Sequence, residues 1–68
     1  MTELQSKLRD KAFSKMHMLN IEIRDLETDL RLLNEGLMQY DMTKAMLAGA
    51  KRDLELWNYI AELVEKDI

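Results

Sequence analysis

From Met16 onward the apolar residues step by three and four: Met16, Leu19, Ile23, Leu26, Leu30, Leu33, Leu37, Tyr40. That spacing returns to one side of a helix every seven residues and makes a coiled-coil seam. A second seam with the same step follows: Leu47, Ala50, Leu54, Trp57, Ala61, Val64, Ile68. The two do not join. Continuing the first seam beyond Tyr40 places Lys44 and Lys51 in the core. Two helices therefore explain the pattern better than one straight helix. Upstream, Leu4, Leu8 and Ala12 step by four, so the stripe is expected to drift around the helix there.

The chain's punctuation agrees. Thr2-Glu3-Leu4-Gln5 fits a capping box, with Thr at the N-cap and Gln three residues on. Glu3 suits the positive end of the helix dipole. Asn34-Glu35-Gly36 is the strongest turn signal, because Gly, and Asn more than most, tolerates the left-handed conformation that ends helices. A rival turn lies at Asp41-Met42-Thr43, with Asp41 as N-cap. Proline is absent, so nothing else must break a helix. The expectation is one all-α domain over residues 1–68, an antiparallel, coiled-coil-like two-helix hairpin with its turn near 34–36. Its helices should run over about 3–34 and about 37–66.

Composition excludes several classes. Without cysteine there is no disulfide framework and no thiolate zinc site. No apolar run approaches the ~20 residues of a membrane span. The first residues, Met1 to Lys7, are polar and mixed in charge, with no signal-peptide pattern, so a soluble cytoplasmic protein is the expectation. A net charge of −3 argues against non-specific nucleic-acid binding. The charge is uneven, with Lys7, Arg9, Lys11 and Lys15 near one end and Glu55, Glu62, Glu65 and Asp67 near the other. Antiparallel pairing sets Lys7 near Leu63, Lys11 near Tyr59 and Lys15 near Glu55. Exposed pairs are worth under ~1 kcal/mol each, so charge biases the orientation without holding the fold.

The apolar surface exceeds one stripe per helix. Met18, Ile21 and Leu32 fall away from the first seam; Leu56, Tyr59, Ile60 and Leu63 lie beside or opposite the second. A single core below ~70–80 residues rarely yields more than ~3–5 kcal/mol. A helix apolar on more than one side is usually buried on more than one side, and Trp and Tyr often anchor interfaces. These seven residues are therefore the candidate partner-binding set. The partner is a second copy, giving a four-helix bundle, or a different protein.

Candidate chemistry is sparse. His17, the one histidine, has no companion base or nucleophile singled out by the sequence, and a solvated histidine is the plainer reading. Met16 and Met18 flank it but point about 160–200° apart on a helix and cannot share a metal. Met38, Met42 and Met46 form a ladder that suits either soft-metal binding or flexible interface packing. Ala45, Ala48, Gly49 and Ala50 make a small-residue patch, read either as close helix approach or as plain helix preference. Two packed helices are expected to offer no concave pocket. No catalytic residue, cofactor or metal is expected.

The chain begins Met1-Thr2-Glu3-Leu4 with Leu8 following, gives Gln39-Tyr40 just after Gly36, and closes with Tyr59-Ile60-Ala61 and Leu63. That arrangement resembles the YscE/PscE family of small co-chaperones from bacterial type III secretion systems. The family turn tends to carry paired glycines where this chain reads Asn34-Glu35-Gly36-Leu37. The resemblance implies a helical hairpin in the bacterial cytoplasm that binds a larger helical-repeat chaperone. That complex keeps the needle subunit soluble and monomeric before export. It implies no catalytic residues. The alternative is a homodimeric four-helix bundle that binds RNA or another regulatory partner, with Lys7, Lys11 and Lys15 as its basic strip. A needle-type secreted subunit or a small viral inhibitor is a third class.

Overall fold

Thr2 starts the first helix in the way its neighbours dictate. Its hydroxyl accepts from the Gln5 N–H at 3.1 Å, and the Gln5 side chain accepts from the Thr2 N–H at 2.8 Å. Two orphan donors of the first turn are thereby satisfied. The computed structural model describes residues 2–66. Met1, Asp67 and Ile68 lie outside the described residues, and with them the last position of the second seam and the last acidic residue. Two helices account for nearly all the rest: α1, Glu3–Leu32, and α2, Met38–Lys66. They fold back on each other as an antiparallel hairpin measuring 50 × 14 × 12 Å. No strand occurs among the described residues.

The turn is slightly longer than the sequence indicates. α1 stops at Leu32 rather than 34, because Leu33 is already extended (φ −91°, ψ 146°) while its N–H still reaches the Asp29 carbonyl at 3.0 Å. Gly36 supplies the left-handed step at φ 95°, a conformation that costs other residues about 1–2 kcal/mol. α2 begins at Met38 rather than 37: the Leu37 carbonyl accepts from the N–H groups of Tyr40 and Asp41 at 3.0 and 3.4 Å. Residues 41–43 are helical, so the rival turn does not form. Asp41 instead sits in the first turn of α2, where the helix dipole favours it.

Burial traces one heptad register per helix. In letters a to g, the inward a and d positions of α1 are Gln5, Arg9, Ala12, Met16, Leu19, Ile23, Leu26 and Leu30, continued by Leu33. Those of α2 are Tyr40, Thr43, Leu47, Ala50, Leu54, Trp57, Ala61 and Val64. All of them are buried or half-buried. The stripe of Leu4, Leu8 and Ala12 drifts off the seam: Leu4 and Leu8 are 78% and 41% exposed, because the register that buries Ala12 assigns the inward places to Gln5 and Arg9. Two expectations are corrected here. Leu37 does not extend the first seam; it lies in the turn, 46% exposed. Tyr40, expected to end the first seam, instead heads the second, followed by Thr43.

The core is thin and uneven. Ile23, Leu26, Leu47 and Ala50 form its cluster, with Leu19, Leu30 and Leu54 packed against it. Towards the open end the buried residues are Ala12, Ala61 and Val64, which remove less apolar area from water. No charged or polar side chain is buried among the described residues. The ion pairs among them stay within α1: Lys7–Glu3 at 3.4 Å and Arg9–Asp10 at 3.9 Å. The basic and acidic stretches therefore run along the same hairpin without interhelical ion pairs among the described residues.

Candidate protein-interaction surface

The a/d rows leave two long sides of the hairpin open, and the two differ in chemistry. One carries the b and e positions. In α1 these are Glu3, Ser6, Asp10, Phe13, His17, Asn20, Arg24, Glu27 and Arg31; in α2 they are Asp41, Lys44, Ala48, Lys51, Asn58, Glu62 and Glu65, with Glu55. Phe13 and Ala48 apart, this side is polar. A groove there is lined by His17, Asn20, Ile21, Ile23, Arg24 and Glu27.

The other side carries the c and g positions, about 110° around each helix from the seam. In α2 the c/g row reads Gln39, Met42, Met46, Gly49, Asp53, Leu56, Ile60, Leu63. It steps by three and four like the buried seam, and six of its members are apolar or glycine. The same row in α1 reads Leu4, Leu8, Lys11, Lys15, Met18, Glu22, Asp25, Asp29, Leu32. Its ends and centre are apolar, and the rest is charged.

Three grooves lie between the helices on this side. At the open end Leu8 meets Ile60, Leu63 and Val64 beside Gln5. Midway, Lys15, Met18, Leu19 and Glu22 meet Asp53 and Trp57. At the turn, Asp29, Leu32 and Leu33 meet Gln39 and Thr43. The hairpin thus does have concave surface, contrary to the expectation for two packed helices. It consists of open grooves along a seam.

Of the seven residues expected to bind a partner, Met18, Leu32, Leu56, Ile60 and Leu63 fall on the c/g side. Ile60 is half-buried and the other four are exposed. Tyr59 sits at an f position on the outer back of α2. Ile21, also at f, lines the groove on the polar side. Spacing alone missed Leu4, Leu8, Met42 and Met46, all exposed on the c/g side. Counting back in sevens from Ala12 and Met16 gives Gln5 and Arg9 as the inward positions, which leaves Leu4 and Leu8 on the c/g side. The methionine ladder already marked the others.

The remaining features are plain. Met16 faces the seam and Met18 faces out, as their angular separation requires. Ala50 is buried, Ala45 and Ala48 are exposed, and a Cβ built at Gly49 meets nothing within 4 Å. No helix among the described residues is long and apolar enough to cross a membrane. Those residues contain no group of three or more His, Cys, Asp or Glu that could hold a metal ion.

Compared with protein-family models, with curated proteins and with solved structures, the chain matches none.

Proposed function

We propose that this chain is a non-enzymatic protein-interaction module that lays its c/g side on another protein. The supporting observation is that side itself. Leu8, Met18, Met42, Met46, Leu56 and Leu63 are large, apolar and exposed along one side of a hairpin whose own core is thin. An apolar patch of such length marks an interaction site.

In the form implied by the resemblance, the module is a cytoplasmic co-chaperone of the type III secretion kind. It docks on a larger helical-repeat chaperone, whose concave surface accepts amphipathic helices. Together they keep the needle subunit monomeric. The nucleic-acid reading has less support. Lys7 is paired with Glu3, and Lys15 shares its groove with Glu22 and Asp53, so the positive strip is locally neutralised.

The test is co-expression with a candidate helical-repeat chaperone and its needle subunit. A stoichiometric complex that Leu56→Asp disrupts is expected. A hairpin that stays monomeric, folded and unbound in the presence of both would overturn the proposal.

A further inference from the structure

The c/g rows carry a pattern that one hairpin does not use. In α1 the c positions are Leu4, Lys11, Met18, Asp25 and Leu32. Read backwards about Met18, each meets its complement: leucine meets leucine, lysine meets aspartate, methionine meets methionine. The neighbouring g positions Lys15 and Glu22 are complementary about nearly the same centre.

The apolar members of the α2 c/g row also match one another about Asp53. Reversed, Leu56 falls opposite Gly49, Ile60 opposite Met46, and Leu63 opposite Met42. Each is apolar against apolar, and the glycine, with open space around it, meets a leucine. The two centres coincide in space: Met18 and Asp53 line the same groove.

We infer that the c/g side is self-complementary and takes a second copy of this chain, face to face and end for end, in an antiparallel four-helix bundle. The two-fold axis passes through the interface at the level of Met18 and Asp53. α1 then lies along α1 of the second copy and α2 along α2. Lys11 faces Asp25 of the second copy, and Lys15 faces its Glu22. Two matches are poor: Leu8 lies opposite Asp29 of the second copy, and Asp53 meets its own copy at the axis, where Lys15 in the same groove offsets the charge. The other face-to-face arrangement, with the axis along the hairpin, sets α1 against α2 of the second copy. It presses Asp25 and Asp29 against Met46 and Met42, burying carboxylates without partners, which is costly. The end-for-end dimer places Asp53 against its own copy but pairs Lys11 with Asp25 and Lys15 with Glu22. The other arrangement pairs none of these charges, so the balance of charge favours end for end. A face of about 50 by 14 Å is comparable to the ~800 Å² that each partner buries in a standard interface.

This inference rests on the reading that another chain covers the c/g side, and it names the occupant when the protein is alone. A helical-repeat chaperone would compete with the second copy for the same side.

The chain has no cysteine, so single-cysteine variants report contacts cleanly. Met18→Cys should oxidise to a disulfide-linked dimer, since a residue near the axis meets itself. Lys11→Cys should not, because the two copies of residue 11 lie about 21 Å apart along the helices, beyond disulfide reach. Lys11→Cys mixed with Asp25→Cys should cross-link.

Charge reversal provides a second test. The chain carrying Lys11→Glu and Lys15→Glu should self-associate on the order of a hundredfold more weakly, and so should the chain carrying Glu22→Lys and Asp25→Lys. Mixed, they should pair as a heterodimer of twice the monomer mass. All four residues are exposed, so the hairpin stays folded, and circular dichroism checks this. A wild-type chain that sediments as a monomer up to millimolar concentration overturns the inference, as does a dimer lacking the Met18→Cys cross-link and the heterodimer preference. A monomer that still captures the chaperone sinks this inference alone. The specified dimer without capture supports it and sinks the co-chaperone reading.

Discussion

α1 and α2 have the same length to within one residue and the same inward register, yet their outward c/g rows differ. α2 presents Met42, Met46, Leu56, Ile60 and Leu63; α1 presents Lys11, Lys15, Glu22, Asp25 and Asp29 between apolar ends. Apolar burial supplies affinity roughly in proportion to area and has little sense of direction. Charge supplies less energy but fixes register and rejects misaligned partners. In the proposed association these tasks would be divided, α2 providing adhesion and α1 determining alignment.

The largest effect should come where the helices are alike. Leu26 is buried in the core cluster, and Leu26→Ala should cost about 2–5 kcal/mol. A hairpin of this size has little more to lose. Urea unfolding followed by circular dichroism should show most of the helix signal lost near zero denaturant. A small shift would mean that an associated partner, and not the intrachain seam, holds the helices together.

Next come the outward rows, where the helices should respond differently. Leu56→Asp on α2 removes a leucine worth about 1.5–3 kcal/mol when covered, so association should weaken roughly tenfold to a hundredfold. Leu32→Asp alters a residue that is 80% exposed at the last position of α1 and shares its groove with Asp29, Gln39 and Thr43. Its effect should be several-fold smaller. Equal effects in a titration followed by sedimentation would abolish the division between the helices.

The fold was readable because its signals are local. The three-four step, the Thr2–Gln5 box and Gly36 each act within one turn of chain. What was less legible is not local. The drift of Leu4, Leu8 and Ala12 follows from their spacing, but only the position of the opposing helix shows that Gln5 and Arg9 take the inward places. Tyr40 could end one seam or begin the next, and the length of the turn settles it. On the candidate surface, Leu56, Ile60 and Leu63 stand out as apolar residues beside or opposite the second seam. Met42 and Met46 join the same row only when the register of α2 is fixed by what α1 buries. Ile21 and Tyr59 were grouped with them because, without that register, every residue off the seam looks equivalent.

Smaller effects should separate the helix starts. α1 begins with a reciprocal capping box, so Thr2→Ala should cost about 1 kcal/mol and speed amide exchange in the first turn. α2 begins after Leu37, whose side chain has no oxygen to offer. Leu37→Asp should therefore stabilise by a similar amount and slow exchange at Met38 to Asp41. If both substitutions destabilise, the Leu37 side chain has a contact outside this hairpin.

The smallest effect concerns Gly49 in the middle of α2's outward row. Glycine inside a helix costs about 0.5–1 kcal/mol relative to alanine, and a Cβ here meets nothing within 4 Å. The single hairpin therefore has no steric use for this glycine, and Gly49→Ala should raise stability by about that much in dilute solution. At concentrations where the chains associate, the added methyl stands where Leu56 of a second copy is expected, and the gain should shrink or reverse. Thermal melts of both proteins across a concentration series measure the two effects together. A gain independent of concentration would leave the glycine without a role in association and would place the contact surface elsewhere on α2.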